Sequence, residues 1–316
     1  MSTRVLLLGA TGTIGRATAR ALVEAGYDVT SLVRPSSDVD ALPGNVVQAP
    51  LDTDGLSQVL TQCSATAVIS CLASRTGIAS DAWAVDHRAN SVALQAAEAA
   101  DVTQFILLSA ICVQKPLLAF QRAKLAFEAE LQASHLMWSI VRPTAFFKSL
   151  SGQVNRLHAG KPFLLFGDGE LTACKPISDA DTARYLVQCL TDPNLQNRVL
   201  PIGGPGPAIT PKQQGAMLFH AMGLTPQFRQ VPIGIMTAII TALTPLGVFS
   251  KSLATKAELA RIGRYYATES MLVWDAAKGL YDADATPEFG HDTLAEHYRQ
   301  LAAGEIADNR GSHAVF

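Results

Sequence analysis

The run VLLLGATGTIG, residues 5–15, constrains this chain more than any other stretch. Val5–Leu8 has the length and branching of a buried strand, and Gly9 closes it. From Ile14 to Ala25 the apolar residues recur at helical spacing, and Gly26 stops the run. Between strand and helix stand Gly9, Gly12 and Gly15, one at every third position. Glycine there lets the backbone turn sharply and approach a pyrophosphate. The free N–H groups and partial positive charge of the following helix then face the anion. A glycine array alone is a weak signal, but a strand before it and a helix after it are the context a dinucleotide site needs. Thr11, Thr13 and Ile14 fill the turn and belong to the same expected contact set.

The pattern then repeats. Strands are read over Asp28–Val33, Val46–Ala49, Ala67–Ser70, Phe105–Ser109 and Trp138–Val141, with helices over Leu56–Leu60, Asp86–Ala100 and Leu118–Leu131 between them. Alternation of this kind implies an α/β fold, a doubly wound parallel sheet of Rossmann type. After Pro143 glycine and proline become frequent; only a helix over Asp179–Leu190 and a strand over Arg198–Ile202 read as a return to the sheet. The expected organisation is a dinucleotide-binding domain over residues 1–150, with its sheet completed by about 177–202. A smaller, irregular C-terminal substrate lobe follows over 203–316, with contributions from 144–176.

The end of the second strand selects the cofactor. NAD-binding turns place a carboxylate there for the ribose 2′-hydroxyl. This strand runs instead into Arg34, Ser36 and Ser37, a set suited to a 2′-phosphate, and Arg16 offers a second positive charge. The expected cofactor is therefore NADPH. Asp52 reads either as an acceptor for the adenine amino group or as a plain loop aspartate. Ser70 and Pro143, beside the ends of their strands, complete the expected cofactor contacts.

Composition removes other classes. Of 316 residues, 48% are hydrophobic and 16% charged, and the formal charge is -2, so neither a disordered chain nor a nucleic-acid binder is expected. Cys63, Cys71, Cys112, Cys174 and Cys189 form no CxxC pair, and the seven histidines show no ligand spacing, so no metal site is expected. No signal or transit segment is read at the N-terminus, and the expected location is cytoplasmic. Residues 232–249, PIGIMTAIITALTPLGVF, carry no charge, but Pro245 and Gly247 break the run. It reads as a buried helix, as an apolar wall over a ligand, or as a surface-lying contact with an inner or photosynthetic membrane, and is too short to span one. The mean hydropathy of +0.20 fits any of the three.

These features resemble the short-chain dehydrogenase/reductase superfamily, in its extended and atypical branches. Members carry a serine at the end of the fifth strand and a Tyr-x-x-x-Lys pair on the next helix, the lysine holding the nicotinamide ribose and the tyrosine protonating a carbonyl oxygen. Here Ser109 ends the strand, and the helix carries FQRAK: Lys124 keeps its place and Phe120 stands where the tyrosine would. The resemblance thus makes Ser109 and Lys124 the catalytic candidates. Phenylalanine cannot protonate an oxyanion, so ordinary carbonyl chemistry is excluded. Longer runs, LLSAICVQKPLLAFQRAKLAFEAEL, SIVRPTAFFKSLSGQV, KPFLLFGDGELTACKPISDAD, VLPIGGPGPAITPKQQGAMLF and YYATESMLVWD, resemble the divinyl chlorophyllide 8-vinyl reductase family, in a bacterial form.

That resemblance implies NADPH-dependent reduction of the 8-vinyl group of divinyl chlorophyllide or protochlorophyllide to ethyl, within chlorophyll or bacteriochlorophyll biosynthesis. A vinyl group conjugated with a tetrapyrrole passes charge into the macrocycle and needs no phenol. Cys112, Lys115, Phe120, Phe146, Phe147, Cys174 and Lys175 are the expected substrate-side residues, the lysines for a propionate carboxylate and the phenylalanines, with Phe163 and Phe166, for a flat aromatic wall. A rival reading from another class is a non-catalytic NADP-binding redox sensor of the nitrogen-metabolite-repressor-like branch, which also lacks the tyrosine.

Overall fold

The computed structural model describes residues 3–37, 39–247 and 250–307. The chain runs β1 (Arg4–Leu8), α1 (Thr13–Glu24), β2 (Asp28–Val33), β3 (Asn45–Gln48), α2 (Thr53–Cys63), β4 (Ala67–Ser70) and α3 (Ala79–Ala82). A π-helical segment, Trp83–Ala89, leads into α4 (Asn90–Ala99), β5 (Gln104–Leu108), α5 (Ala119–Ala133) and β6 (Met137–Pro143). Then come α6 (Phe147–Leu150), α7 (Val154–His158), β7 (Phe163–Phe166), α8 (Asp179–Gln188), β8 (Arg198–Ile202), α9 (Pro211–Ala221) and β9 (Phe228–Val231). The last elements are α10 (Gly234–Leu246), α11 (Lys251–Thr268), β10 (Val273–Asp275), β11 (Leu280–Asp282) and α12 (Leu294–Ala303).

Two compact units result. The first comprises Met1–Ser74, Ala79–Pro143 and Asp179–Ile202. It holds a seven-stranded sheet in the order β3-β2-β1-β4-β5-β6-β8, every pairing parallel. Strand β1 explains why its sequence is a continuous apolar run rather than an alternation: Val5–Leu8 are buried on both faces between β2 and β4. One face packs Leu6, Leu8, Val68, Phe105 and Leu107 against Leu56, Leu94, Phe127 and Leu131 of the helices; α1 and α8 pack together as a further layer. The order reverses between β1 and β4, the crevice where ligands of doubly wound sheets bind, outside the carboxyl ends of the strands.

The second unit comprises Arg75–Ile78, Thr144–Ser178 and Gly203–Phe316. Its core gathers Phe147, Leu157, Phe163, Leu165, Phe219 and Tyr298. The Tyr298 hydroxyl, buried there, donates to the Leu150 carbonyl at 2.8 Å. Helix α9 begins on a capping box, Thr210 with Gln213, and proline at its first position, both helix-starting signals.

Helix α10 is not buried. Ile235 is 49% exposed, Ile239 42% and Leu246 49%; only Met236 is buried. It packs along α11, where Arg261 donates to the Thr244 hydroxyl. A core reading of residues 232–249 therefore fails for α10, because an uncharged run marks low polarity and not burial. Val248 and Phe249 of that segment, and the tail from Asp308, lie outside the described residues.

Candidate active site

The turn after β1 has the geometry its glycines imply. Gly9 has φ +76°, and a Cβ there would stand 2.6 Å from the Cys71 carbonyl at the end of β4, so the crevice closes to backbone contact. A Cβ on Gly15 would stand 2.1 Å from the Gly9 carbonyl oxygen. Gly12 is exposed at the N-cap of α1; no side chain caps it, and the first turn carries no acidic residue. The positive end of the helix dipole is thus offset by no acidic residue in the first turn, a setting that suits an external anion. Thr11 and Thr13 are half-buried beside them and Ile14 is buried beneath. Across the crevice, the buried Ser70 hydroxyl donates to Asn90 Oδ1 at 2.6 Å. Pro143 is buried at the end of β6.

Arg34 is exposed directly after β2, in a turn where its carbonyl accepts from the Ser37 N–H at 2.9 Å; Ser36 is exposed beside it. Arg16 is differently placed: Nη1 donates to the Asp40 carbonyl at 2.8 Å and Nε to the Thr11 carbonyl at 3.4 Å. It staples α1 to the loop after β2 with two of its five N–H donors. Asp52 is the N-cap of α2, and Oδ1 accepts from the Gly55 N–H at 2.9 Å. The adenine role expected for it would compete with this cap.

Arg34→Ala is expected to weaken NADPH binding roughly 10- to 100-fold, the loss of one charge-assisted phosphate contact of about 1.5–3 kcal/mol. NADH binding should change little, and the exposed position leaves the melting temperature unaltered. Parallel fluorescence titrations read the difference; equal losses for the two cofactors would refute the 2′-phosphate role.

Helix α5 brings Phe120 and Lys124 to one face, one turn apart. Phe120 is buried. Lys124, 11% exposed, forms an ion pair of 2.9 Å with Asp86, whose side chain is 0% exposed. The Asp86 Oδ1 also accepts from the Ser74 N–H at 3.2 Å. Ser109 is placed differently from a substrate-facing hydroxyl: it is buried and donates to Glu128 Oε1, and Glu128 accepts in turn from Nε and Nη2 of Arg142. The hydroxyl is committed to a buried ion pair. Sequence reasoning missed Asp86, Asn90, Glu128 and Arg142. In the sequence Asp86 stands only as the start of an alanine-rich helix, and periodicity carries no signal for a charge that finds its partner on another helix.

Of the remaining substrate candidates, Cys112 is buried in a 3₁₀ turn and Lys115 is half-buried, both in the first unit. In the second unit Phe146 is half-buried and bridges to Ile177, and Phe166 is half-buried on β7. Phe147 and Phe163 belong to that unit's core instead of a pocket wall, with the Phe147 ring 5.4 Å from that of His297. Burial pushes the Cys174 thiol up to about 12. Lys175 is buried, with Nζ 2.7 Å from Glu288 Oε1 and 3.3 Å from the Thr286 carbonyl. A propionate there would compete with Glu288 for the ammonium. Among the described residues no cluster of potential metal ligands occurs.

A family model described as NAD(P)H-binding matches residues 9–193. The fold is similar to that of an NADPH-dependent quinone oxidoreductase from Escherichia coli solved with NADPH, at TM-score 0.69 and 18% identity over 94% of this chain and 99% of that one. In sequence the chain is 44% identical to the chloroplastic divinyl chlorophyllide a 8-vinyl-reductase of Oryza sativa subsp. indica, over 99% of this chain and 82% of the relative. It is 45% identical to that of Cucumis sativus, over 99% and 80%. Such identity along the whole length, through both units, places the chain in the divinyl chlorophyllide a 8-vinyl-reductase family.

Proposed function

We infer that this protein reduces the 8-vinyl group of divinyl chlorophyllide to an ethyl group with NADPH, a step of chlorophyll or bacteriochlorophyll biosynthesis. Carrying this reading is the identity of 44–45% to vinyl reductases across 99% of the chain. The cofactor fits the first unit: the glycine turn is open where a pyrophosphate must approach, and Arg34 stands exposed at the position that meets a 2′-phosphate. When bound, NADPH supplies the hydride. The chain's own part is placement. Lys124 holds the nicotinamide ribose, and the Phe120 ring, buried one turn earlier, adds an apolar surface with no proton to give. Charge left by hydride addition to the terminal vinyl carbon spreads into the tetrapyrrole, so no oxyanion forms for a phenol to serve; the inner vinyl carbon then takes a proton, from water or a nearby donor, to complete the ethyl group. Cys112 and Lys115 on the first unit, and Phe146, Cys174 and Lys175 on the second, remain the proposed substrate-side residues.

The test mixes purified protein, NADPH and divinyl chlorophyllide and follows the Soret band, which should shift to the blue. An unmoved band from protein that demonstrably binds NADPH would favour the redox-sensor reading. Phe120→Tyr is expected to leave the rate of vinyl reduction within about twofold of the parent, because no oxyanion forms for its phenol to serve and the proton that completes the ethyl group goes to carbon from another donor. A large gain would show that a phenol was wanted.

No described helix is long and apolar enough to cross a membrane. Helix α10 instead displays Ile235, Ile239 and Leu246 to the outside, and we assign it to a surface-lying membrane contact from which an apolar substrate is drawn. Ile239→Asp should leave the melting temperature unchanged, cut co-sedimentation with anionic lipid vesicles several-fold, and raise the KM for divinyl chlorophyllide with NADPH affinity intact. A steep fall in melting temperature with unaltered KM would assign α10 to packing alone.

A further inference from the structure

We propose that Asp86 is a positioning residue of the cofactor site, holding Lys124 with one carboxylate oxygen and offering the other to a hydroxyl of the nicotinamide ribose. The proposal rests on the NADPH reading above and adds to it a residue from outside the Phe120–Lys124 helix. Asp86 lies on the π-helical segment Trp83–Ala89. Such local widening of a helix shifts side chains out of regular register and recurs at functional sites. Its Oδ1 accepts from Lys124 Nζ on α5 and from the N–H of Ser74, in the segment leaving β4. One oxygen thus ties the lysine-bearing helix to the carboxyl end of a crevice strand. The second oxygen, Oδ2, is buried with no hydrogen-bond partner among the described residues.

The same unit contains a buried carboxylate that serves structure alone, and the contrast is informative. Glu128, 1% exposed, has both oxygens occupied: Oε1 by Ser109 and Arg142, Oε2 by Arg142. Asp86 is more deeply buried yet keeps one oxygen open. Buried acceptors are almost always satisfied, so an open carboxylate oxygen on the partner of the cofactor lysine offers a place for a donor to arrive. A ribose hydroxyl is a donor of the right chemistry. The Lys124 ammonium has three N–H donors and gives one to Asp86, which fixes its direction toward the remaining acceptors. Since Phe120 contributes no hydroxyl to this group, Asp86 is the polar partner that holds Lys124 in place.

The experiment compares two ligands on the full chain: NADPH, and adenosine 2′,5′-bisphosphate, which keeps the 2′-phosphate end and lacks the nicotinamide ribose. Both are titrated calorimetrically against wild type and Asp86→Asn. The expected result is at least a tenfold rise in the Kd for NADPH with the bisphosphate Kd within twofold of wild type, and partial recovery in Asp86→Glu. An equal loss for both ligands, or no loss for NADPH, would overturn the proposal, since a purely structural ion pair cannot distinguish the two ends of the dinucleotide. Where Asp86→Asn does not fold, the double variant Asp86→Asn/Lys124→Gln, which strands no ammonium, is compared with Lys124→Gln alone: a further loss for NADPH and not for the bisphosphate supports the proposal, and no further loss overturns it. Failure of the wild-type chain to bind either ligand would overturn the NADPH reading, and this proposal with it.

Discussion

Alanine at Gly15 should abolish NADPH binding and lower the melting temperature together, whereas alanine at Gly12 should impair binding and leave folding intact. The two glycines are three residues apart in one turn but do different work. A Cβ at Gly15 would lie 2.1 Å from the Gly9 carbonyl oxygen, and backbone cannot give way as a flexible side chain can. Helix α1 must then move off β1, and the turn that presents its N–H groups moves with it. A Cβ at Gly12 would meet only that same carbonyl oxygen, at 3.4 Å, an ordinary contact. It would nevertheless stand at the exposed helix cap where the pyrophosphate has to approach. The expected losses of NADPH affinity are about 100-fold or more at Gly15 and about 10-fold or more at Gly12, on the scale of one or two charged hydrogen bonds. Thermal melting beside calorimetric titration reads both quantities. A Gly15→Ala protein with unaltered affinity would show that this turn does not carry the cofactor.

The second large effect belongs to Glu128. Glu128→Ala leaves the Arg142 guanidinium without its buried partner and the Ser109 hydroxyl without its acceptor. Removing one member of a buried pair typically costs about 3–5 kcal/mol, far more than a surface pair contributes, because the remaining charge stays out of water. Arg142 is 19% exposed, which places the expectation near the lower end of that range. The double change Glu128→Leu/Arg142→Met should recover most of the loss, since no charge is then stranded. Urea unfolding of the two variants measures both steps. A loss under about 0.5 kcal/mol for Glu128→Ala would mean that water reaches the pair freely.

What was legible in the sequence was the local part. Strands β2 and β8 occupy the stretches read for them, Asp28–Val33 and Arg198–Ile202, because a short β-branched or apolar run bounded by turn residues has few other solutions. The turn from Gly9 to Gly15 was legible for the same reason: a left-handed φ at Gly9 and the close approach at Gly15 each demand glycine from the backbone itself. Resemblance over long runs located Lys124 and the missing phenol at Phe120.

Partnership was not legible. Nothing near Lys175 announces that its ammonium meets Glu288, 113 residues later, or that Ser109 turns into the Glu128–Arg142 pair. Nor could an uncharged run say whether α10 faces a core or the outside, since a helix of isoleucine, leucine and threonine reads alike in both settings. Local conformation follows from a few neighbouring residues, and so the sequence by itself determined the alternation of strand and helix and the glycine turn between β1 and α1. Burial and pairing follow from which distant segments meet, and so only the tertiary structure decided that Asp86 holds Lys124 with one oxygen open, that Asp52 and Arg16 are engaged by nearby backbone, and that α10 stands exposed.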